Sequence, residues 1–443
     1  MDRRDFLKMT ALAGTAAALA PSVLAGTPFR PVPASEHLCV ALVGCGAQGN
    51  VLLDAMMRAT KSCGIQIVAV CDIWDWKLQT TARRLRANGR AVRTYRDYRE
   101  MLAKEPSLDA IFVATPDCWH APVTIAALEA GKHVYCEKMM AHTLEAAQEM
   151  LRAAAKTPLL VQIGHQRHSN PYYRWAQDKI LAGGVLGGIT GASGVWNRAA
   201  QKPVVAPKKF QPDLQILREF GYENIHQFLN WRGFRRYSGG PICDLGSHQI
   251  EVFNWFLGDP VSVVATGGRD FTAPENSEWQ DNIHCVFEYK TARGNVRAVY
   301  SVRLHTGYGI GYHEVFMGDF GSLRLAENPN LIALNKEANT TMDWSDFVRR
   351  GIMKSSATGT AKSGEALDAR AVASEPVEFF AAPDSVTLGN KTIHQPHVEN
   401  FLQAIRGNAE LACPIAEAFK NEAPIFAVTR ALETGQKIFF NKT

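Results

Sequence analysis

Apolar runs of strand length alternate with stretches of helical periodicity over the first third of the chain. An uninterrupted apolar run at 38–43 leads into 50–60, where Val51, Leu52, Ala55 and Met56 recur at helical spacing. Runs at 65–71, 109–114 and 133–136 repeat the strand pattern, and 121–130 repeats the helical one. Strand and helix alternating at this interval predict a parallel, doubly wound sheet. From 159 the pattern changes. A run at 159–164 reads as a strand opening a second domain, followed by a helix at 173–182 and a strand at 189–197. Shorter runs at 261–266, 283–289, 296–304 and 313–317 predict a largely antiparallel sheet, and helices near 397–406 and 415–438 close the chain. Residues 355–374, rich in Ala, Ser, Thr and Gly, read as a surface loop.

The start of the chain has a different character. Arg3-Arg4, followed by Phe6-Leu7-Lys8, precedes a short Ala- and Leu-rich run ending in small residues before Gly26. A charged start, an apolar stretch and a small-residue cut predict a signal peptide over 1–25. The arginine pair is of the twin-arginine type, a receptor-read export tag, so the expected location is periplasmic or otherwise exported. The run is short and broken by Pro21, which argues against a transmembrane anchor. Residues 26–36, with Pro28, Pro31 and Pro33, read as a linker.

Composition sharpens the picture by exclusion. A chain of 443 residues exceeds what one core organises, so two domains are expected, at 37–158 and 159–443. The net charge of +5 is dilute and forms no basic stripe, which argues against a nucleic-acid partner. Arg83, Arg84, Arg86 and Arg90 read as a solvated helix face. Among the nine cysteines, Cys39, Cys45, Cys71 and Cys136 sit in or beside apolar runs, as small hydrophobes do. No pair has C-x-x-C spacing, and His165 and His168 gain no third ligand by pattern, so no metal is expected.

The chemistry collects at strand ends. Gly44-Cys45-Gly46-Ala47-Gln48-Gly49 lies between the first strand and its helix, where a dinucleotide turn belongs. Gly44 would make the tight turn, Gly46 would admit the pyrophosphate, and Gly49 would let helix pack on strand, a Rossmann arrangement. Asp72 closes the second strand, where a carboxylate binds ribose hydroxyls and repels a 2′-phosphate, favouring NAD over NADP. Thr115, Pro116 and His120 follow the third strand, and Glu137-Lys138 follow the fourth, so both groups share the ligand-binding edge. Asp244 and His248 are four apart, on one face of a helix running to Leu257. An imidazole there suits proton transfer from a hydroxyl, and Asp244 would fix its tautomer or bind a neighbouring hydroxyl. Trp196, Asn197, Arg198, Trp231, Arg232 and Arg235 fit sugar binding and packing equally well.

Taken in order, the glycine turn, Thr115-Pro116, His120, Glu137-Lys138 and Asp244-Leu-Gly-Ser-His248 resemble the glucose-fructose oxidoreductase, inositol dehydrogenase and rhizopine-catabolism (Gfo/Idh/MocA) family. The resemblance covers most of the mature chain. It departs at Met139, where the family's Glu-Lys-Pro hallmark has proline, so the loop bearing Lys138 is expected to be set differently. The resemblance implies an NAD-dependent oxidoreductase of a sugar or polyol, with a homo-oligomeric contact on the second sheet. It implies Glu137 on the nicotinamide ribose and Lys138 beside the reacting carbon, where an ammonium steadies an alkoxide. It also brings Arg167 toward cofactor or substrate; Trp231 and Arg232 join it as substrate candidates on residue type alone. Some relatives are glycosidases that oxidise C3, eliminate the aglycone, add water and reduce the ketone again, which makes glycoside cleavage the alternative. A non-catalytic NAD or sugar sensor is the third reading.

Overall fold

The computed structural model describes residues 31–33, 36–273, 275–309, 311–337, 340, 342–356 and 378–440. The expected signal peptide, most of the linker and most of the 355–374 loop lie outside them. Six parallel strands form the first sheet: β1 (Leu38–Val43), β2 (Ile65–Cys71), β3 (Arg93–Tyr95), β4 (Ala110–Val113), β5 (His133–Cys136) and β6 (Val161–Ile163). Their order is β3-β2-β1-β4-β5-β6, so direction of winding reverses between β1 and β4. Side chains alternate along β1. Leu38, Val40 and Leu42 join one core, with the helix Ala47–Cys63, and Ala41 and Val43 join the other, with the helix His120–Glu129. A late helix, Gln395–Ile405, returns to cover the first of these faces with Val398, Phe401 and Leu402.

The strand expected to open the second domain is β6, which pairs in parallel with β5 and closes the edge of the first sheet. Its three residues are too short for periodicity to assign them to one sheet or the other.

The second sheet has ten strands: β7 (Ile189–Asn197), β8 (Pro260–Gly268), β9 (Asn282–Thr291), β10 (Gly294–Arg303), β11 (Tyr312–Gly318), β12 (Gly321–Leu325), β13 (Ala333–Lys336), β14 (Lys354–Ser355), β15 (Glu378–Ala381) and β16 (Ile438–Phe439). The order is β14-β15-β13-β12-β11-β7-β10-β9-β8-β16, antiparallel throughout except for the parallel β7–β10 pair. Ile283, Cys285, Phe287 and Tyr289 of β9 point inward with Val296, Ala298, Tyr300 and Val302 of β10, under the helix Ser247–Leu257. Two helices differ from their expected extents. The predicted helix at 173–182 is α-helical only at Pro171–Trp175 and continues as a π-helix over Ala176–Leu181. The last helix, Ile415–Thr434, stops at left-handed Gly435, and Ile438–Phe439 pair with β8 instead of prolonging it.

Candidate active site

The glycine turn is built for close approach. Gly44 has φ +97°, and a Cβ there would lie 2.4 Å from the Ala114 carbonyl oxygen. A Cβ on Gly49 would lie 1.9 Å from the Gly44 oxygen, so helix and strand meet only through glycine. At Gly46 the same atom would meet nothing within 4 Å, which leaves the approach to the helix Ala47–Cys63 open. No side chain caps that helix and no acid sits in its first turn, so its free N–H groups fit a pyrophosphate. Asp72 accepts from the Cys45 N–H and the Trp74 N–H, each at 2.7 Å, pinning the turn to the end of β2. Burial pushes its pKa up and those two donors oppose the rise. Its remaining lone pairs suit ribose hydroxyls. These features fit NAD.

A segment of the second domain crosses toward the adenosine end. Phe210 stacks on Trp76 with centroids 5.0 Å apart at 11°, and the Trp74 indole donates to the Phe210 carbonyl at 2.8 Å. Lys77 lies over the Trp76 ring at 4.8 Å. Sequence pattern could not foresee this strap, because Trp74 and Phe210 are 136 residues apart.

At the other end, Glu137 is buried and accepts from the Gln48 amide at 3.0 Å. Burial raises its pKa, against the pull of His394, Gln48 and Lys138. The Lys138–Met139 peptide is cis, and the Met139 carbonyl lies 2.7 Å from Nδ1 of His120. Nε2 of His120 lies 2.9 Å from the Thr115 carbonyl, so this ring ties the β4 and β5 loops together. Burial lowers the His120 pKa to about 4, against the raising effect of the two carbonyls. Lys138 Nζ donates to the Asp244 carbonyl at 2.5 Å and lies 3.7 Å from its Oδ1.

Asp244 sits in a π-helical turn, Ile242–Gly246, that runs into the helix bearing His248. Its carboxylate takes Nε of Arg232 at 3.1 Å. Burial would raise its pKa, but Arg232, Lys138 and Arg198 outweigh burial and hold it well below the usual range. Of the two roles expected for Asp244, fixing the His248 ring has no hydrogen bond behind it: Arg232 takes the carboxylate and Lys138 the carbonyl.

The His248 ring stacks on Trp196 with centroids 5.6 Å apart and makes no side-chain hydrogen bond among the described residues. Burial, then Lys138 and Arg167, keep its pKa well below the ordinary histidine range, leaving a neutral base. Arg167 lies apart from these groups. It does not line the cavity: it is 1% exposed beneath it, ion-paired with Glu314 and Glu327, and donates to the His248 carbonyl at 3.1 Å.

One cavity of about 1110 Å³ runs from the glycine turn past Thr115, Pro116 and His120 to Glu137, Lys138, Asp244 and His248, with Trp231 and Arg232 on its second-domain wall. Gly49 lies behind the turn. Asp117 also lines it, although no motif singled it out; its place directly after Thr115-Pro116 at a strand end was the available signal. Burial, with Asp244 nearby, pushes its pKa up to about 7. Among the described residues, no group of three or more His, Cys, Asp or Glu could hold a metal ion.

Comparison with known proteins follows the same division. Residues 38–165 match "Oxidoreductase family, NAD-binding Rossmann fold", and residues 218–440 match "Oxidoreductase family, C-terminal alpha/beta domain". An inositol 2-dehydrogenase/D-chiro-inositol 3-dehydrogenase of Lactiplantibacillus plantarum is 25% identical over 311 residues, 69% of this chain and 77% of that protein. A glycosyl hydrolase family 109 protein of Solibacter usitatus is 28% identical over 213 residues, 44% of this chain and 45% of that one. In fold, the chain is similar to the WlbA dehydrogenase of Bordetella pertussis, solved with NADH and UDP-GlcNAcA, with TM-score 0.67 and 19% identity. That likeness covers 93% of this chain and all of the other.

Proposed function

The chain belongs to the Gfo/Idh/MocA oxidoreductase family, and from that premise we propose an NAD-dependent oxidoreductase acting on a carbinol carbon of a sugar or polyol. One observation carries the reading: Lys138 and His248, from separate domains, line the cavity that the glycine turn also lines. Bound NAD supplies the hydride acceptor. His248, neutral and with no side-chain hydrogen bond among the described residues, takes the hydroxyl proton. Lys138, anchored through the Asp244 carbonyl, keeps further N–H donors for the oxygen on which negative charge develops. Asp244 orients Lys138 and Arg232. The inositol dehydrogenase and the sugar-nucleotide complex named above support the substrate class. The test is absorbance in the reduced-nicotinamide band as candidate sugars are added to purified protein. A rise supports the reading, and a flat trace across neutral and acidic sugars and polyols ends it.

A redox-neutral glycosidase is the second reading, favoured by the likeness to the glycosyl hydrolase and by the Phe210 strap, which suits a cofactor that stays bound. Aryl glycosides in deuterium oxide decide between them. Aryl release with deuterium at C2 and no net NADH would replace the oxidoreductase reading.

Two wider proposals accompany it. The Arg3-Arg4 leader supports export, tested by whether an Arg3→Lys, Arg4→Lys variant stays in the cytoplasm. Val264, Val286 and Val299 pair across β8, β9 and β10 on the outward face of the second sheet, and this row supports a homo-oligomer, tested by light scattering.

A further inference from the structure

The cations around the cavity are unequally partnered. Arg96 is paired with Asp75, Lys77 rests over Trp76, and Lys138 and Arg232 share Asp244. Arg198 and Lys202 also line the cavity, yet neither is hydrogen-bonded or ion-paired through its side chain among the described residues. Arg198 extends β7 by one residue, its N–H donating to the Arg303 carbonyl at 2.9 Å. Strand alternation therefore puts it on the face of Trp196, the ring that stacks on His248. It is near enough to Asp244 to help hold that carboxylate ionised.

Charge at this end does not balance. Lys138, Arg232 and Arg198 bear on Asp244 and Lys202 lines the same cavity, so four cations stand against the carboxylates of Asp244, Glu137 and Asp117. A neutral sugar would leave the excess uncompensated, and an anion on the sugar would remove it. A guanidinium with an unused fork suits a planar carboxylate best.

We propose that the sugar processed here carries an anionic substituent, in the first place a carboxylate as in a uronate, received by Arg198 with Lys202 beside it. This rests on the reading of Lys138 and His248 as the reacting end of the cavity. It adds a substrate class to that reading.

The test reads binding, so that it does not depend on turnover. Tryptophan fluorescence of the purified protein with NAD present is titrated with glucuronate, galacturonate, glucose, galactose and glucose 6-sulfate. Each acid should bind at least about tenfold tighter than its neutral counterpart, with the advantage shrinking as salt rises. Arg198→Gln should lower that ratio about tenfold, and Lys202→Gln should lower it less. A sulfate bound tighter than either uronate assigns the anion to a sulfate ester within the same proposal. Acids that bind no better than neutral sugars, including no binding by either, overturn it. So does a preference that Arg198→Gln leaves intact. NADH formed from neutral sugars without acid preference defeats this inference alone; acid preference without any NADH defeats the oxidoreductase reading alone.

Discussion

Lys138 reaches across the domain boundary to the main-chain carbonyl of Asp244, 2.5 Å away, and so ties the end of β5 to the turn that carries His248. The carbonyl fixes where the ammonium sits, and the Asp244 carboxylate, 3.7 Å away and shared with Arg232, leaves Lys138 with N–H donors to spare. Lys138→Met should therefore lower kcat at least about a hundredfold, the usual loss when a donor to a developing oxyanion is removed. NAD affinity should change little, because the glycine turn is untouched. Lys138→Arg should not restore the rate, since a planar fork cannot replace a point charge held in this way. Stopped-flow reduction of bound NAD measures both.

His248→Asn should cost about a hundredfold or more, in line with losses of a general base. The pH profile carries a further expectation. Burial and the nearby cations lower the folded pKa, so the neutral form persists well below the ordinary value of about 6.5. Wild-type kcat/KM should show no limb centred near 6.5 from this ring. A limb there that vanishes in His248→Asn would show the ring to be solvated.

Asp117 allows a stability test with a definite sign. Its pKa rises from 3.8 to about 7 on folding, so the native state binds this proton more tightly than the unfolded chain does. Stability is greatest while the group is protonated and falls as pH climbs through the window from about 4 to about 7. Full ionisation costs on the order of 4 kcal/mol at about 1.4 kcal/mol per unit. Asp117→Asn should therefore unfold at a higher temperature than wild type at pH 8, with the gap closing near pH 4. A constant gap would mean that Asp117 is solvated.

How legible the site was depended on whether its parts were local. Gly44 to Gly49, Glu137-Lys138 and Asp244 to His248 are each contiguous, and the backbone they require is specified within a few residues. The extents of β1 and of the β9–β10 pair were legible for the same reason. What pairs with Asp244 was not, because Arg232 and Lys138 arrive from different elements and outcompete the histidine on its own helix. Arg167 was brought to the site by the family resemblance alone, with nothing in its own neighbourhood to show where it points. Its true partners, Glu314 and Glu327, are 147 and 160 residues away. The late helix over the first sheet was equally hidden, since periodicity reports a face but not what covers it.

Arg167 is the buried charge on which the helix end depends. Its side chain is 1% exposed, Glu314 is fully buried, and the His248 carbonyl takes one of its donors. Removing one member of such a pair leaves carboxylates stranded in low dielectric, so Arg167→Met should lower unfolding free energy by about 3–5 kcal/mol. Adding Glu314→Gln should recover part of the loss by removing one stranded charge. Urea titration of the single and double variants gives the comparison.

Phe210 should govern how fast the cofactor leaves. The ring stacks on Trp76, its carbonyl holds the Trp74 indole, and Asp72 at the end of β2 accepts from the Trp74 N–H. Trp74 and Lys77 line the cavity a dinucleotide would fill, and Phe210 braces that wall from behind. Phe210→Ala removes the stacking surface but keeps the carbonyl, so the first domain should stay folded while the strap loosens. An aromatic pair contributes about 0.5–1.5 kcal/mol beyond the area it buries, and with the lost area the barrier to release should fall enough to speed NAD dissociation about tenfold or more. Wild-type protein should emerge from gel filtration with its NAD, and Phe210→Ala should emerge largely stripped yet regain full turnover when NAD is added in excess. Equal retention by both proteins would mean that the groove alone holds the cofactor and that the strap serves only domain contact.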